Sequence, residues 1–230
     1  MNKKFYTLGV CALFFLAGNA FAKSKTYTID PDHTVVSFKI KHLVSKVRGN
    51  FEKVEGTVEY DADHVKKFKS KGKIETSSIN TGVAKRDNHL RSADFFDVDN
   101  AKQPQNKTIT FESIKFNDIT EDNGEIRGKL LGKITIHSVT KPIELDLVIL
   151  GKPLIDPWGM ERLSFSATGL LNRKDFGLTW NQVVETGGFV VGDEVELELN
   201  VEAVTKADAP KPAKDDKKVM KNTNEKEDKK

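Results

Sequence analysis

The sequence predicts an all-β domain, a sandwich or barrel of about eight or nine antiparallel strands with one short helical cap segment. Three observations carry that expectation. Apolar and polar residues alternate with a period of two through most of the chain, giving each segment one dry and one wet face. Turn signals (Asp122-Asn123-Gly124, Asp156-Pro157-Trp158-Gly159 and Gly187-Gly188) separate the alternating runs at short intervals. Neither an internal repeat nor a strand–helix alternation is present, which excludes a parallel-sheet enzyme.

The chain opens on what reads as an address. Lys3 and Lys4 precede an apolar run from Phe5 to Ala17, and Ala20-Phe21-Ala22 follows. A positive start, an apolar run too short to span a bilayer and a small-x-small ending make a secretory signal. Cleavage is expected after Ala22, with Lys23 as the mature start and the periplasm as destination. The single cysteine, Cys11, follows Val10 inside the apolar run, so it is not a lipid-attachment site. The mature chain then lacks cysteine, which excludes disulfides, thiol chemistry and cysteine-ligated metals.

The strands follow in order. Residues 33–42 place Val36, Phe38 and Ile40 on one face with His42. Residues 46–60, carrying Val58 and Tyr60 inward, and residues 72–79 are further runs. Residues 85–96 (KRDNHLRSADFF) lose the alternation, and Leu90, Asp94 and Phe95 fall at helical spacing. A short helix or capped loop there is expected to close one end. In residues 107–117 the parity slips from Ile109 and Phe111 to Ile114 and Phe116, which a bulge near Ser113 explains.

Residues 125–137 set Ile126, Gly128, Leu130, Gly132, Ile134 and Ile136 on one face, and inward glycines mark bends or close approach. Residues 141–151 do the same with Ile143, Leu145, Leu147 and Ile149. Residues 162–172 carry Phe165 and Leu171 inward. In residues 193–203, Val195, Leu197, Leu199 and Val201 alternate with Glu194, Glu196, Glu198, Asn200 and Glu202.

Residues 206–230 are of another kind, with charges of both signs, two prolines and little apolar beyond Val219 and Met220. Such a segment buries too little surface to offset its ordering entropy, so a disordered charged tail is expected. The tail is net +3 and the signal carries two lysines, so the formal +3 of the whole chain leaves about −2 for residues 23–205. The basic balance belongs to the ends, which argues against a nucleic-acid platform.

Parity assigns Val36, Phe38, Ile40, His42, Val58, Tyr60, Phe111, Ile134, Ile136, Leu145, Leu147, Phe165, Leu171, Leu197 and Leu199 to the interior. It leaves open whether they pack into a solid core or line a cavity. Small inward residues, Gly128, Gly132, Ala167 and Gly169, favour empty space. The five histidines show no ligand spacing, so no metal is expected. No nucleophile elbow or phosphate loop is present. Asn106-Lys107-Thr108 matches a glycosylation sequon, a common tripeptide.

The order of motifs resembles the YceI-like family. Tyr27-Thr28-Ile29-Asp30-Pro31-Asp32-His33 comes first, followed by Phe38, His42, Gly49-Asn50-Phe51 and Gly56. Next are Ile79-Asn80-Thr81, Arg86-Asp87-Asn88-His89-Leu90 and Asp94-Phe95-Phe96-Asp97. The series ends with Ile134–Pro142 and Asn172–Leu178. The resemblance covers residues 23–205 and implies a lipocalin-like antiparallel β-barrel whose interior holds a polyisoprenoid chain. Two departures stand out: Ser138 replaces the usual glycine, and Val65–Lys73 is unusually basic.

The expected function is that of a periplasmic carrier enclosing a long-chain isoprenoid, polyprenyl or quinone-like, with no other cofactor. An eight-stranded barrel is wide enough for packed side chains or one slender ligand. The alternative is a non-enzymatic module with a filled barrel, acting through its surface and basic tail; an enzyme working on a head group through Arg86, Asp87 or His89 is a third reading.

At the polar positions, His42 could meet a head group or be a hydrogen-bonded core histidine. Arg86 and His89 could bind a phosphate or quinone oxygen, or Asp87 could cap the helix and pair with Arg86. Phe95, Phe176 and Trp180 complete the candidate ligand set, the last two forming a closing corner with Arg173 and Asp175. Trp158, beside Pro157, is an exposed-loop anchor or a rim residue that could touch a membrane transiently, and an exposed edge strand could support a homodimer.

Overall fold

The structure is a computed structural model that describes residues 24–184 and 187–205. The expected signal and charged tail lie outside the described residues. The described chain runs through β1 (Lys25–Ile29), β2 (Val35–His42), β3 (Ser45–Phe51), β4 (Val54–Tyr60), β5 (Lys69–Glu75) and β6 (Ile79–Asn80). Helix α1 (Ala84–Arg91) follows, then β7 (Thr108–Asp122), β8 (Glu125–Ile136), β9 (Val139–Ile149), β10 (Leu154–Ile155), β11 (Glu161–Asn172) and β12 (Val191–Val204).

These segments form a closed eight-strand antiparallel barrel, because β11 pairs with both β9 and β12. Three of the eight strands are broken. β1 and β2 lie in line along one side of β12, β4 and β3 lie in line against them, and β5 and β6 continue the pattern. The break between β1 and β2 falls at Pro31, which has no N–H for the ladder, and Asp30 Oδ1 accepts from Asp32 N at 3.1 Å instead. The single strand expected over residues 46–60 is therefore two. Ser78 bridges its interruption, accepting from Lys53 N at 3.1 Å through Oγ and from Glu52 N at 3.2 Å through its carbonyl.

The bulge expected near Ser113 is present, with the β7–β8 register shifting between Ser113 and Lys115. Ser113 Oγ accepts from Ser70 N at 2.8 Å, so the bulge also knits β7 to β5. The helical segment is shorter than residues 85–96. α1 ends at Arg91, and Phe95, Phe96 and Val98 turn back on Ser92, Leu90 and Arg91. The helix is polar apart from Ala84 and the cavity-lining Leu90, and is held by side chains: Arg91 donates to Ser77 O and Ile79 O, both at 2.7 Å.

One barrel end is packed solid. The Phe68 ring meets Tyr60, Phe116 and Phe165 at centroid distances of 6.3, 5.9 and 5.6 Å. Val58, Tyr27, Leu147, Ile149 and Leu163 are buried in the same core. Outside it, Arg162 ties Asp156, Asp30 and Glu202 together at 2.8, 3.0 and 3.4 Å, and His33 sits 2.9 Å from Asp30. Burial works against the Asp30 charge, but hydrogen bonds from His33 and Arg162 outweigh it and lower its pKa. Asp30, His33 and Glu202 are close enough to share a cation, yet the Arg162 guanidinium already sits on both carboxylates.

The β8–β9 turn shows what replacing glycine with Ser138 entails. His137 and Ser138 have φ of 54° and 69°, the two-residue turn that favours Asn-Gly. A non-glycine residue in the left-handed region costs roughly 1 kcal/mol. Ser138→Gly is therefore expected to stabilise the barrel by about 0.5–1 kcal/mol in chemical denaturation, without changing ligand content. Asn106, the sequon residue, is only 1% exposed, so the sequon is inaccessible in the folded chain.

Candidate functional site

Above the aromatic plug the barrel is hollow. A cavity of about 540 Å³ begins at Phe165, Ala167 and Leu145 and opens towards α1 and Trp180. Its walls are Val36, Phe38 and Ile40 of β2, Phe111 of β7, Ile134 and Ile136 of β8, Leu171 of β11 and Leu197 and Leu199 of β12. The strand interior thus resolves into both alternatives that parity left open, a solid core at one end and a void at the other.

The space does not come from the glycines that parity pointed to. A Cβ on Gly132 would lie 2.4 Å from the Phe111 ring, one on Gly128 2.7 Å from Phe116 and one on Gly169 2.5 Å from Leu145. Each notch is already filled by a cross-strand neighbour, as aromatic rings commonly cover sheet glycines. Gly72 is different. It borders the cavity from β5, and a Cβ there would meet no atom within 4 Å.

Apart from Ser37, Ser70 and Thr110 on the strands, the polar side chains gather at the mouth. His42, Lys85, Arg86, His89 and Arg173 all border the cavity at that end; Lys71 also borders it but turns its ammonium out to Glu112 at 2.8 Å. Arg86 and Asp87 do not pair directly. Both engage Thr81, Arg86 through Nε to Thr81 Oγ1 at 2.7 Å, and Asp87 by accepting from Thr81 N at 2.8 Å. His89 Nε2 is 2.8 Å from Asp94 Oδ2, and its ring stands edge-on to Phe95 and Trp180 at 5.1 and 4.8 Å. This aromatic cluster spans the opening between α1 and the loop after β11.

Arg173 holds that loop. It is 3% exposed and donates to the carbonyls of Gly192 (2.8 Å), Leu178 and Trp180 (2.8 Å), with Asp193 Oδ1 at 3.3 Å. Burial lowers its pKa, and Asp193 opposes the shift. The expected closing corner is thus present with Asp193, rather than Asp175, as the arginine's partner. His42 borders the mouth without a ring hydrogen bond among the described residues, so it is not the satisfied core histidine considered above.

Of the expected ligand-facing residues, Val36, Phe38, Ile40, His42, Arg86, His89, Phe95, Phe111, Ile134, Ile136, Leu145, Phe165, Leu171 and Trp180 border the cavity. Val58, Tyr60 and Leu147 do not, because they lie in the packed end with Phe68. Phe176 does not either; the turn Arg173–Phe176 tucks its ring into the core. Of the two readings of Trp158 the exposed-loop one holds: it is largely exposed, and it is no rim residue of the mouth, since its loop precedes β11 at the closed end. Sequence reading missed Gly72, Val47, Phe51, Val83 and Val190 on the cavity wall. Phe51 and Val47 alternate inward on the same parity as Gly49, a signal that was available.

Comparison with known proteins places this geometry. The protein named YceI of Escherichia coli O157:H7 is 35% identical over 205 residues, spanning 89% of this chain and 98% of its own. The crystal structure of the Campylobacter jejuni YceI protein is 33% identical with a TM-score of 0.58, covering 73% of this chain and 90% of that one. A polyisoprenoid binding domain from Saccharophagus degradans, 12% identical, shares the fold at a TM-score of 0.56 over 78% of this chain and 98% of that one. The YceI-like domain matches residues 27–203, nearly the whole described barrel, and the chain belongs to that family.

Proposed function

We propose that the protein is a periplasmic carrier that encloses the hydrocarbon chain of an isoprenoid lipid, polyprenyl or quinone-like, and performs no chemistry on it. The observation that carries this reading is an apolar cavity whose imidazoles and inward charged groups, among the described residues, ring the mouth. Each methylene-sized unit moved from water into such a cavity is worth about 0.8 kcal/mol, so tight binding needs few polar contacts. The arrangement favours a tail-first ligand, with Phe165 at the tail and His42, Arg86 and His89 near the head. The family likeness to a fold found in a polyisoprenoid binding domain supports the same ligand class. The polar groups best placed for catalysis are already engaged in structure, Asp87 and Arg86 by Thr81 and His89 by Asp94.

Organic extraction of the natively purified protein, read by mass spectrometry, tests the proposal. An isoprenoid recovered at close to one per chain is expected. Extracts containing only the bulk phospholipids of the host, or no lipid at all, would reject it.

A further inference from the structure

The fold leaves apolar side chains in water around the cavity mouth. Leu43 and Val44 form the β2–β3 turn, and Val44 is fully exposed. The Leu43 N–H donates to Val190 O at 2.9 Å, which joins this turn to the loop after Trp180. On that loop Val183 and Phe189 pair with each other and are 75% and 60% exposed. Val83, at the start of α1, is exposed as well and borders the cavity.

The Leu43-Val44 tip runs against turn chemistry. Leu43 adopts φ of 49°, a conformation that asparagine or glycine accepts at far lower cost. A tip that pays both strain and exposed apolar surface points to a contact made outside the chain. The charges nearby are basic. Lys41 and Lys46 form the second cross-strand pair behind the tip, Lys85 and Arg86 follow Val83, and Lys174 Nζ lies 5.4 Å above the Phe189 ring. Of the acidic groups, Asp94 is held by His89 at 2.8 Å, Asp193 by Lys174 at 2.9 Å and Glu196 by Lys46, which leaves Lys41 and Lys85 without a carboxylate partner among the described residues.

We infer that the mouth rim docks on an anionic phospholipid bilayer, with the apolar tips entering the interface and the lysines meeting headgroups. This rests on the carrier reading above, since it gives an apolar cargo a route between bilayer and cavity that avoids water. A second apolar patch, Leu154, Ile155 and Trp158, sits at the closed end. It lies roughly 40 Å away along the twelve residues of β11, opens on no cavity, and adjoins three carboxylates, Asp30, Asp156 and Glu202, that outnumber the one guanidinium, Arg162, binding them. Charge and continuity both select the mouth.

Sedimentation of the purified protein with phosphatidylcholine–phosphatidylglycerol vesicles lacking isoprenoid reads docking by itself. The protein is expected to partition onto the vesicles, less so in high salt. The pair Val44→Glu and Phe189→Glu should cut partition by roughly tenfold or more, while Trp158→Glu changes it less than about twofold. Absence of partition by the unmodified protein, or its loss only on Trp158→Glu, would overturn the inference. Isoprenoid uptake from detergent micelles by the same variants separates the two ideas. Uptake without docking by the unmodified protein would sink the rim and leave the carrier standing.

Discussion

Gly72→Leu is expected to empty the cavity of ligand while leaving the barrel folded. Gly72 borders the void from β5, opposite Phe111, and a Cβ there points into open space. A leucine adds four carbons in the volume that a lipid would otherwise occupy. At about 0.8 kcal/mol per methylene-sized unit this is close to 3 kcal/mol, or roughly a hundredfold in affinity. The barrel should not suffer, because glycine in a strand interior is itself destabilising. Thermal unfolding and extracted lipid, measured side by side, check this. A variant as stable as the parent and fully loaded with lipid would show that the void is not the binding site. Gly132→Leu provides the contrast: its side chain would collide with Phe111 and Glu112 O, so unfolding and ligand loss should come together.

Arg173→Ala is expected to cost about 3–5 kcal/mol and to open the mouth. The guanidinium satisfies the carbonyls of Leu178, Trp180 and Gly192 at once, and removing it leaves them buried without donors. Because Trp180 is fixed through its own carbonyl, its edge-on contact with His89 and its tilted contact with Phe95 depend on the same residue. Arg173→Lys should restore little, since an ammonium cannot reproduce a planar fork that reaches three carbonyls. Denaturant unfolding gives the stability, and quenching of Trp180 fluorescence by iodide gives the opening, once Trp158→Phe has removed the other tryptophan's signal. Unchanged stability would mean that the corner is held by its backbone alone.

Much of this architecture was legible in the period-two pattern. The faces of β8, β9, β11 and β12, the bulge at Ser113 and the polar helical segment all follow from residue order and parity. Position along the barrel axis does not. Leu145 and Leu147 share one face of one strand, yet Leu145 borders the cavity and Leu147 is sealed beneath it. The difference is made by Phe68, which sits in the lysine-rich stretch of residues 65–73, where the face alternating with Lys69, Lys71 and Lys73 continues only as Ser70 and Gly72 and so does not read as core. Glycines mislead for a related reason: Gly132 is covered because the β7–β8 register brings Phe111 diagonally over it. Gly72 is left open because Phe111, directly opposite, leans elsewhere. Such facts belong to register between strands, which a single strand's sequence does not contain.

The most direct measurement is a crystal structure of the protein purified without denaturant or organic solvent. Continuous elongated density is expected from Phe165, past Ala167 and Leu197, to the mouth at His89. An axis closed by the rings of Phe38 and Phe111 and the branches of Leu199, with no such density, would contradict a hollow lipid-bearing barrel.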